Sequence, residues 1–157
     1  MMKVLFVCLG NICRSPLAEA IFNKRIEELG LQHQFVADSC GTNSYHTGEL
    51  ADPRTRSVAR KFGVEISHRA RTFSKSDFSS FDRIFVMEEA NFKTLIKLDT
   101  EGEYASKIEF LRNYDLKAAK STTVPDPYYG TEQDFIEVHQ ILERCIEGLI
   151  VGLQKEI

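Results

Sequence analysis

Apolar positions follow two rhythms along the chain. Val4-Leu5-Phe6-Val7 and Ile84-Phe85-Val86-Met87 are unbroken runs, the pattern of strands covered on both faces. The first, from Lys3 to Val7, ends at Cys8. Between such runs the apolar residues fall at helical spacing. Leu17, Ala18, Ile21, Phe22, Ile26 and Leu29 make one face of a helix that Pro16 opens and Gly30 caps. Gln34 to Asp38 reads as a short strand leading into a loop, Ser39 to Ser44. Pro53 opens a second helix with Val58, Ala59 and Phe62, stopped by Gly63. A helical stretch runs through Phe92, Leu95 and Ile96, and Ile108 to Leu111 is a fourth strand. Thr131 with Asp134 three residues on announces a last helix, with Phe135, Val138, Leu142, Cys145, Ile146 and Leu149 on one face. The alternation predicts an α/β fold: one three-layer domain over residues 1–157, with a four-stranded, mainly parallel, twisted sheet and helices on both faces. Ligands of such sheets bind beyond the carboxyl ends of the strands, where Cys8 stands.

Composition narrows the function. At 157 residues, 43% hydrophobic and 27% charged, the chain has ordinary globular values and no stretch suited to a membrane span. The net charge of −3 argues against nucleic-acid binding, which needs a clustered basic face. The apolar start is followed by no small-residue cleavage site. Four cysteines without a secretion signal point to catalysis or burial in a reducing, cytoplasmic compartment rather than to a disulfide framework.

The chemistry concentrates in Val7-Cys8-Leu9-Gly10-Asn11-Ile12-Cys13-Arg14-Ser15-Pro16. A loop turning from strand to helix aims successive backbone N–H groups, here from Leu9 to Ser15, at one point, and the helix N-terminus adds its positive end. That is an anion cradle at the end of the first strand, and its field favours the thiolate that a nucleophilic cysteine requires. Arg14 can grip two phosphoryl oxygens with its planar fork. Gly10 and Asn11 suit the left-handed backbone of such a loop.

Cysteine, five residues, arginine and serine resembles the phosphate loop of protein tyrosine phosphatases. The longer string VCLGNICRSP is similar to the low-molecular-weight family, and Val124-Pro125-Asp126-Pro127-Tyr128-Tyr129-Gly130 resembles that family's general-acid loop. The likeness continues through Asp38-Ser39, Asp52-Pro53-Arg54, Ser67-His68 and Phe81-Asp82, so it spans essentially the whole chain. It implies Cys8 as nucleophile, Arg14 as transition-state clamp and Asp126 as general acid and then base. It also implies that Ser15 hydrogen-bonds the Cys8 sulfur, and that Asn11, Ser39 and His68 hold the loop in shape. Neither metal nor other cofactor is implied. Tyr45, Tyr128 and Tyr129 are candidate walls of a phosphotyrosine cleft. Ile12 matches the tyrosine-directed branch, whereas the phosphoarginine-directed branch carries threonine there. Glu88 stands where relatives often carry aspartate. The expected partners are phosphotyrosine-containing proteins, with no nucleic acid or membrane, and the expected state is a monomer or weak dimer.

The remaining cysteines divide. Cys13 is placed to trap oxidised Cys8 as a disulfide. Cys145 lies on the apolar face of the last helix and reads as core, and Cys40 is left open. Cys8 and Cys13 have nearly the spacing of a zinc pair, but no second pair exists and His33, His46, His68 and His139 are scattered. Two rival functions share the loop. An arsenate reductase of this fold needs further relay cysteines after the third strand, and Met87 to Lys97 contains none. A silent phosphate-binding module would not need Cys8 and Asp126, which are both present.

Overall fold

The computed structural model describes residues 1–117 and 121–157. Four strands, β1 (Met2–Cys8), β2 (Phe35–Gly41), β3 (Arg83–Val86) and β4 (Ile108–Phe110), form one sheet in the order β2-β1-β3-β4. Every pairing is parallel, with Cys8 opposite Gly41 and Val7 opposite Val86. Five α-helices complete it: α1 (Arg14–Glu28), α2 (Pro53–Lys61), α3 (Ser76–Ser80), α4 (Glu89–Leu98) and α5 (Glu132–Gln154). Short 3-10 turns flank β4 at Ala105–Lys107 and Leu111–Tyr114.

The alternation of β1 explains the layers. Val4, Phe6 and Cys8 point into one core with Leu17, Phe22, Leu142 and Leu149 of α1 and α5. Leu5 and Val7 point into the other, against Phe78 and Leu95 of α3 and α4. A strand with no solvent face has no polar alternation to show, as its unbroken run predicts. Burying each such side chain contributes about 1.5–3 kcal/mol, so the central strand is firmly held where the site needs it.

Several boundaries move. The first helix starts at Arg14 rather than Pro16, which occupies the third helical position without breaking a hydrogen bond because first-turn N–H groups have no intrahelical acceptor. Ser39, Cys40 and Gly41 are strand, not loop, because β1 continues to Cys8 and templates its neighbour residue for residue. The strand expected to include Leu111 stops at Phe110, Ile96 lies at the partly exposed edge of α4, and α3 is not foreshadowed. Gly30 and Gly63 follow their helices at φ 71° and 77°, as expected of left-handed stops. At the start of α5 the Thr131 N–H donates to Asp134 Oδ2 at 2.7 Å, and every apolar residue assigned to its inner face is buried. No helix among the described residues is long and apolar enough to cross a membrane.

Candidate active site

β1 delivers Cys8 to the carboxyl edge of the sheet, and after five intervening residues the chain is already helical at Arg14. Carbonyls along this turn are drawn outward. Thr42 N–H donates to the Cys8 and Leu9 carbonyls at 2.9 and 3.0 Å, Asn43 N–H to Leu9 at 3.1 Å, and Asp52 N–H to Ile12 at 2.8 Å. Among the described residues the N–H groups of Leu9 to Cys13 donate to no backbone acceptor, which leaves them for an anion. Gly41 lets the loop lie this close, since a Cβ there would stand 2.7 Å from the Leu9 carbonyl oxygen.

Asn11 holds the turn at φ 57°, the one non-glycine positive φ among the described residues. Its side chain compensates that cost with four hydrogen bonds. Nδ2 donates to Ser15 Oγ at 2.7 Å and Ser39 Oγ at 3.0 Å. Oδ1 accepts from the Arg71 N–H at 3.0 Å and meets His68 Nε2 at 2.8 Å. Ser15 Oγ in turn lies 2.9 Å from Cys8 Sγ. Because Ser15 accepts from Asn11, its single hydrogen points to either the Cys8 sulfur or the Cys40 carbonyl, 3.3 Å from Oγ, and the nearer sulfur is the better acceptor once it is a thiolate. Asn11, Ser15, Ser39 and His68 thus converge on one network, as the family resemblance implies.

Arg14 is 2% exposed. Its guanidinium donates to the Val124 carbonyl at 3.1 Å, pairs with the Glu88 carboxylate, and stands 3.6 Å from Asp126 Oδ2. Burial works against its charge, but Cys8, Glu88 and Asp126 outweigh that and raise its pKa, so it is a permanent cation. Glu88 reaches Arg14 despite the extra methylene relative to aspartate. Asp126 is partly exposed, and its Oδ1 accepts the Tyr128 N–H at 3.1 Å. Buried Val124 anchors this segment through its N–H to the Met87 carbonyl at 2.8 Å.

These groups open onto a cleft of about 330 Å³. Cys8 and Arg14 lie at its floor with Ile12 and Cys13, while Asp126 and Tyr128 line it above. Tyr45 and Tyr129 also line it, but at 83% and 95% exposure they are rim rather than wall. Tyr128 is held by the Arg54 guanidinium, 5.3 Å from its ring centroid. His46 and Asn43 belong to the lining as well; nothing in their sequence neighbourhood signals this, because the long β2–α2 connection carries them in. Burial pushes the Cys13 thiol up to about 12, against a hydrogen bond to Thr55, so it is a neutral thiol near Cys8. Cys40 and Cys145 are buried in the two cores away from this cleft.

A parallel α/β sheet whose first strand ends in a buried cysteine, on a loop closed by a buried arginine, defines a cysteine-dependent phosphate-loop protein. Comparison with known proteins makes the class specific. Residues 3–157 match the family model described as low molecular weight phosphotyrosine protein phosphatase. A putative low molecular weight protein-tyrosine-phosphatase of Synechocystis is 42% identical over 156 residues, covering 99% of both chains. The low molecular weight phosphotyrosine protein phosphatase of Schizosaccharomyces pombe is 45% identical over 134 residues, 85% of each chain. The crystal structure of an Entamoeba histolytica protein tyrosine phosphatase with Hepes in its active site superimposes with a TM-score of 0.94 at 44% identity, covering 99% of both chains. The chain belongs to the low-molecular-weight phosphotyrosine protein phosphatase family.

Proposed function

We propose that this protein, acting as one domain over residues 1–157, hydrolyses phosphotyrosine side chains and aryl phosphates through a phosphocysteine on Cys8, without a metal. The observation that carries this is the meeting of Cys8, Arg14 and Asp126 in one cleft lined by Tyr128. The loop N–H groups and the Arg14 fork hold the three equatorial oxygens of the phosphoryl group, where charge is greatest in the transition state. The Cys8 thiolate forms the S–P bond as the P–O bond to the phenol breaks, and Asp126 supplies the proton to the leaving oxygen. In the second step Asp126 takes a proton from water as the new P–O bond forms and the S–P bond breaks. Ser15 donates to the departing sulfur. Arg14 reaches this position because Glu88 and the Val124 carbonyl orient it.

Depth supports the substrate class. Cys8 is 2% exposed beneath the tyrosine-lined rim, so a phosphate carried on a phenyl ring reaches it more readily than one on a seryl side chain. Ile12 at the floor offers no hydroxyl to a guanidinium phosphate, which favours phosphotyrosine over phosphoarginine. The partners are phosphotyrosine-containing proteins met in the cytoplasm, by a monomer or weak dimer. Cys13 protects the nucleophile: peroxide converts Cys8 to a sulfenic acid, and the Cys13 thiol displaces water to give a disulfide. Mass spectrometry of peroxide-treated protein tests that link, and its absence would remove the protective role.

The deciding assay is phosphate release from matched phosphotyrosine, phosphoserine and phosphoarginine peptides, in chelator, by wild type and Cys8→Ser. Release from phosphotyrosine alone, lost in Cys8→Ser, is expected. Release from none of the three would sink the reading and favour arsenate reduction or phosphate binding.

A further inference from the structure

The segment that carries Asp126 is stiff by sequence. Pro125 and Pro127 flank the carboxylate, each fixing its own φ, and a residue that precedes proline is restricted to extended backbone. Val124 and Asp126 both precede a proline, so the chain from Val124 to Pro127 has few free torsions. Val124 and Pro127 are buried, while Asp126 between them is partly exposed. Where Asp126 points therefore depends on how the peptide entering Val124 is set.

That peptide is held at both ends. Its N–H, from Val124, donates to the Met87 carbonyl at 2.8 Å. Its carbonyl, from Thr123, accepts from Arg112 Nη1 at 2.6 Å. A planar unit tied by one hydrogen bond can rock about it, whereas one tied at opposite edges cannot. Thr123 is exposed, so water could satisfy its carbonyl. What the guanidinium adds is direction, through a charge-assisted bond from a donor that does not exchange.

Arg112 is itself fixed in advance. Its side chain is 13% exposed, and Nε donates to Asp115 Oδ2 at 3.0 Å. Asp115 is buried, and Arg144 of α5 donates to both of its oxygens at 2.9 and 3.0 Å. The Lys117 N–H completes the set, donating to Oδ1 at 3.0 Å. Two guanidiniums share one carboxylate, which leaves Arg112 with N–H groups for the Thr123 carbonyl. The line of contacts thus runs from α5 through Arg144, Asp115 and Arg112 to the root of the acid loop.

We propose that Arg112, held by Asp115 and Arg144, is a positioning residue for Asp126 that sets the direction from which the acid meets the leaving oxygen, an inference that rests on Asp126 being the proton donor.

The test is a double-mutant cycle in the full chain: wild type, Arg112→Met, Asp126→Ala and the two combined. Each is assayed as kcat/KM on phenyl phosphate and on a nitrophenyl ester of low leaving-group pKa. Arg112→Met should lower the phenyl phosphate value by about tenfold and the nitrophenyl value by less than about twofold. In the Asp126→Ala background the same substitution should cost nothing further on either ester. Inhibition by inorganic phosphate should be unchanged, because Met87 still holds Val124 and Glu88 still holds Arg14, and this also checks that each variant is folded. Arg112→Lys keeps a cation but cannot bridge Asp115 and Thr123 with a fork; it should show the same preference at smaller size, and serves if Arg112→Met does not fold. No loss on phenyl phosphate, an equal loss on both esters, or a loss that persists without Asp126 would overturn the positioning role and leave the acid role standing. If Asp126→Ala itself slows both esters equally, the acid role fails and the positioning role with it.

Discussion

The two loops that build the cleft are held in opposite ways. The phosphate loop is buried and cross-linked: Asn11 alone touches Ser15, Ser39, His68 and the backbone of Arg71. The loop bearing Asp126 is tied at its root, by Val124 to Met87 and by Arg112 to the Thr123 carbonyl at 2.6 Å, while Tyr129 at its tip is 95% exposed. Stabilising a phosphoryl transition state requires donors fixed before the substrate arrives, because reorganising them would cost what they contribute. Proton delivery requires only that one carboxyl reach the leaving oxygen, and a partly exposed loop satisfies that while admitting a protein substrate. On the proposed mechanism the buried loop therefore acts alike on every substrate, and the exposed Asp126 loop is the one that discriminates among leaving groups.

Substitutions that break this division should rank by which loop they strike. Arg14→Lys keeps the charge but loses the fork, and phosphotyrosine turnover should fall by about 10²–10³ for all leaving groups, measured as kcat/KM. Asp126→Ala should cost a similar factor of about 10² with phenyl phosphate and close to none with a nitrophenyl ester of low leaving-group pKa. Equal losses on both substrates would remove Asp126 from the proton-transfer role. Asn11→Ala leaves the Arg71 N–H and two hydroxyls short of partners. It should lower stability by about 2–3 kcal/mol in urea and weaken inorganic phosphate binding, whereas Asp126→Ala should leave both unchanged.

The smallest effect lies in neither loop. His139 is fully buried on α5, stacked on Phe62 with ring centroids 4.2 Å apart, and burial lowers its pKa to about 4, with Lys24 adding to the shift. The unfolded chain takes up this proton near 6.5 and the folded one near 4, so its contribution is complete above pH 6.5 and is lost as the pH falls toward 4. About 2 kcal/mol should disappear between pH 7 and pH 5, read by urea unfolding, and His139→Phe should remove that slope.

Much of this was legible before any coordinates. The unbroken apolar runs of β1 and β3 identified strands with two covered faces, and the Cys8 to Arg14 spacing located the anion cradle. Ser39 to Gly41 misled because their small and polar side chains read as loop, whereas pairing with β1 decides their conformation. Tyr45 and Tyr129 were readable as aromatic but not as exposed, since burial depends on which elements pack above them. Glu19 of α1 has no local signature that sets it apart from other acids of the chain. Only the fold brings it to His68, fifty residues on, and a partner at that distance leaves no local periodicity to detect.

One consequence of the sheet order concerns synthesis rather than catalysis. β1 lies at the centre of the sheet, yet it precedes both neighbours in the chain: its partners are residues 35–41 and 83–86. Long-range parallel pairing is slow to nucleate, so the strand carrying Cys8 waits on the ribosome for a second edge that emerges some eighty residues later. During that interval the turn from Cys8 to Arg14 lacks the Glu88 and Val124 partners that orient the arginine beside the thiol. Safe maturation of the nascent chain therefore depends on the reducing capacity of its surroundings.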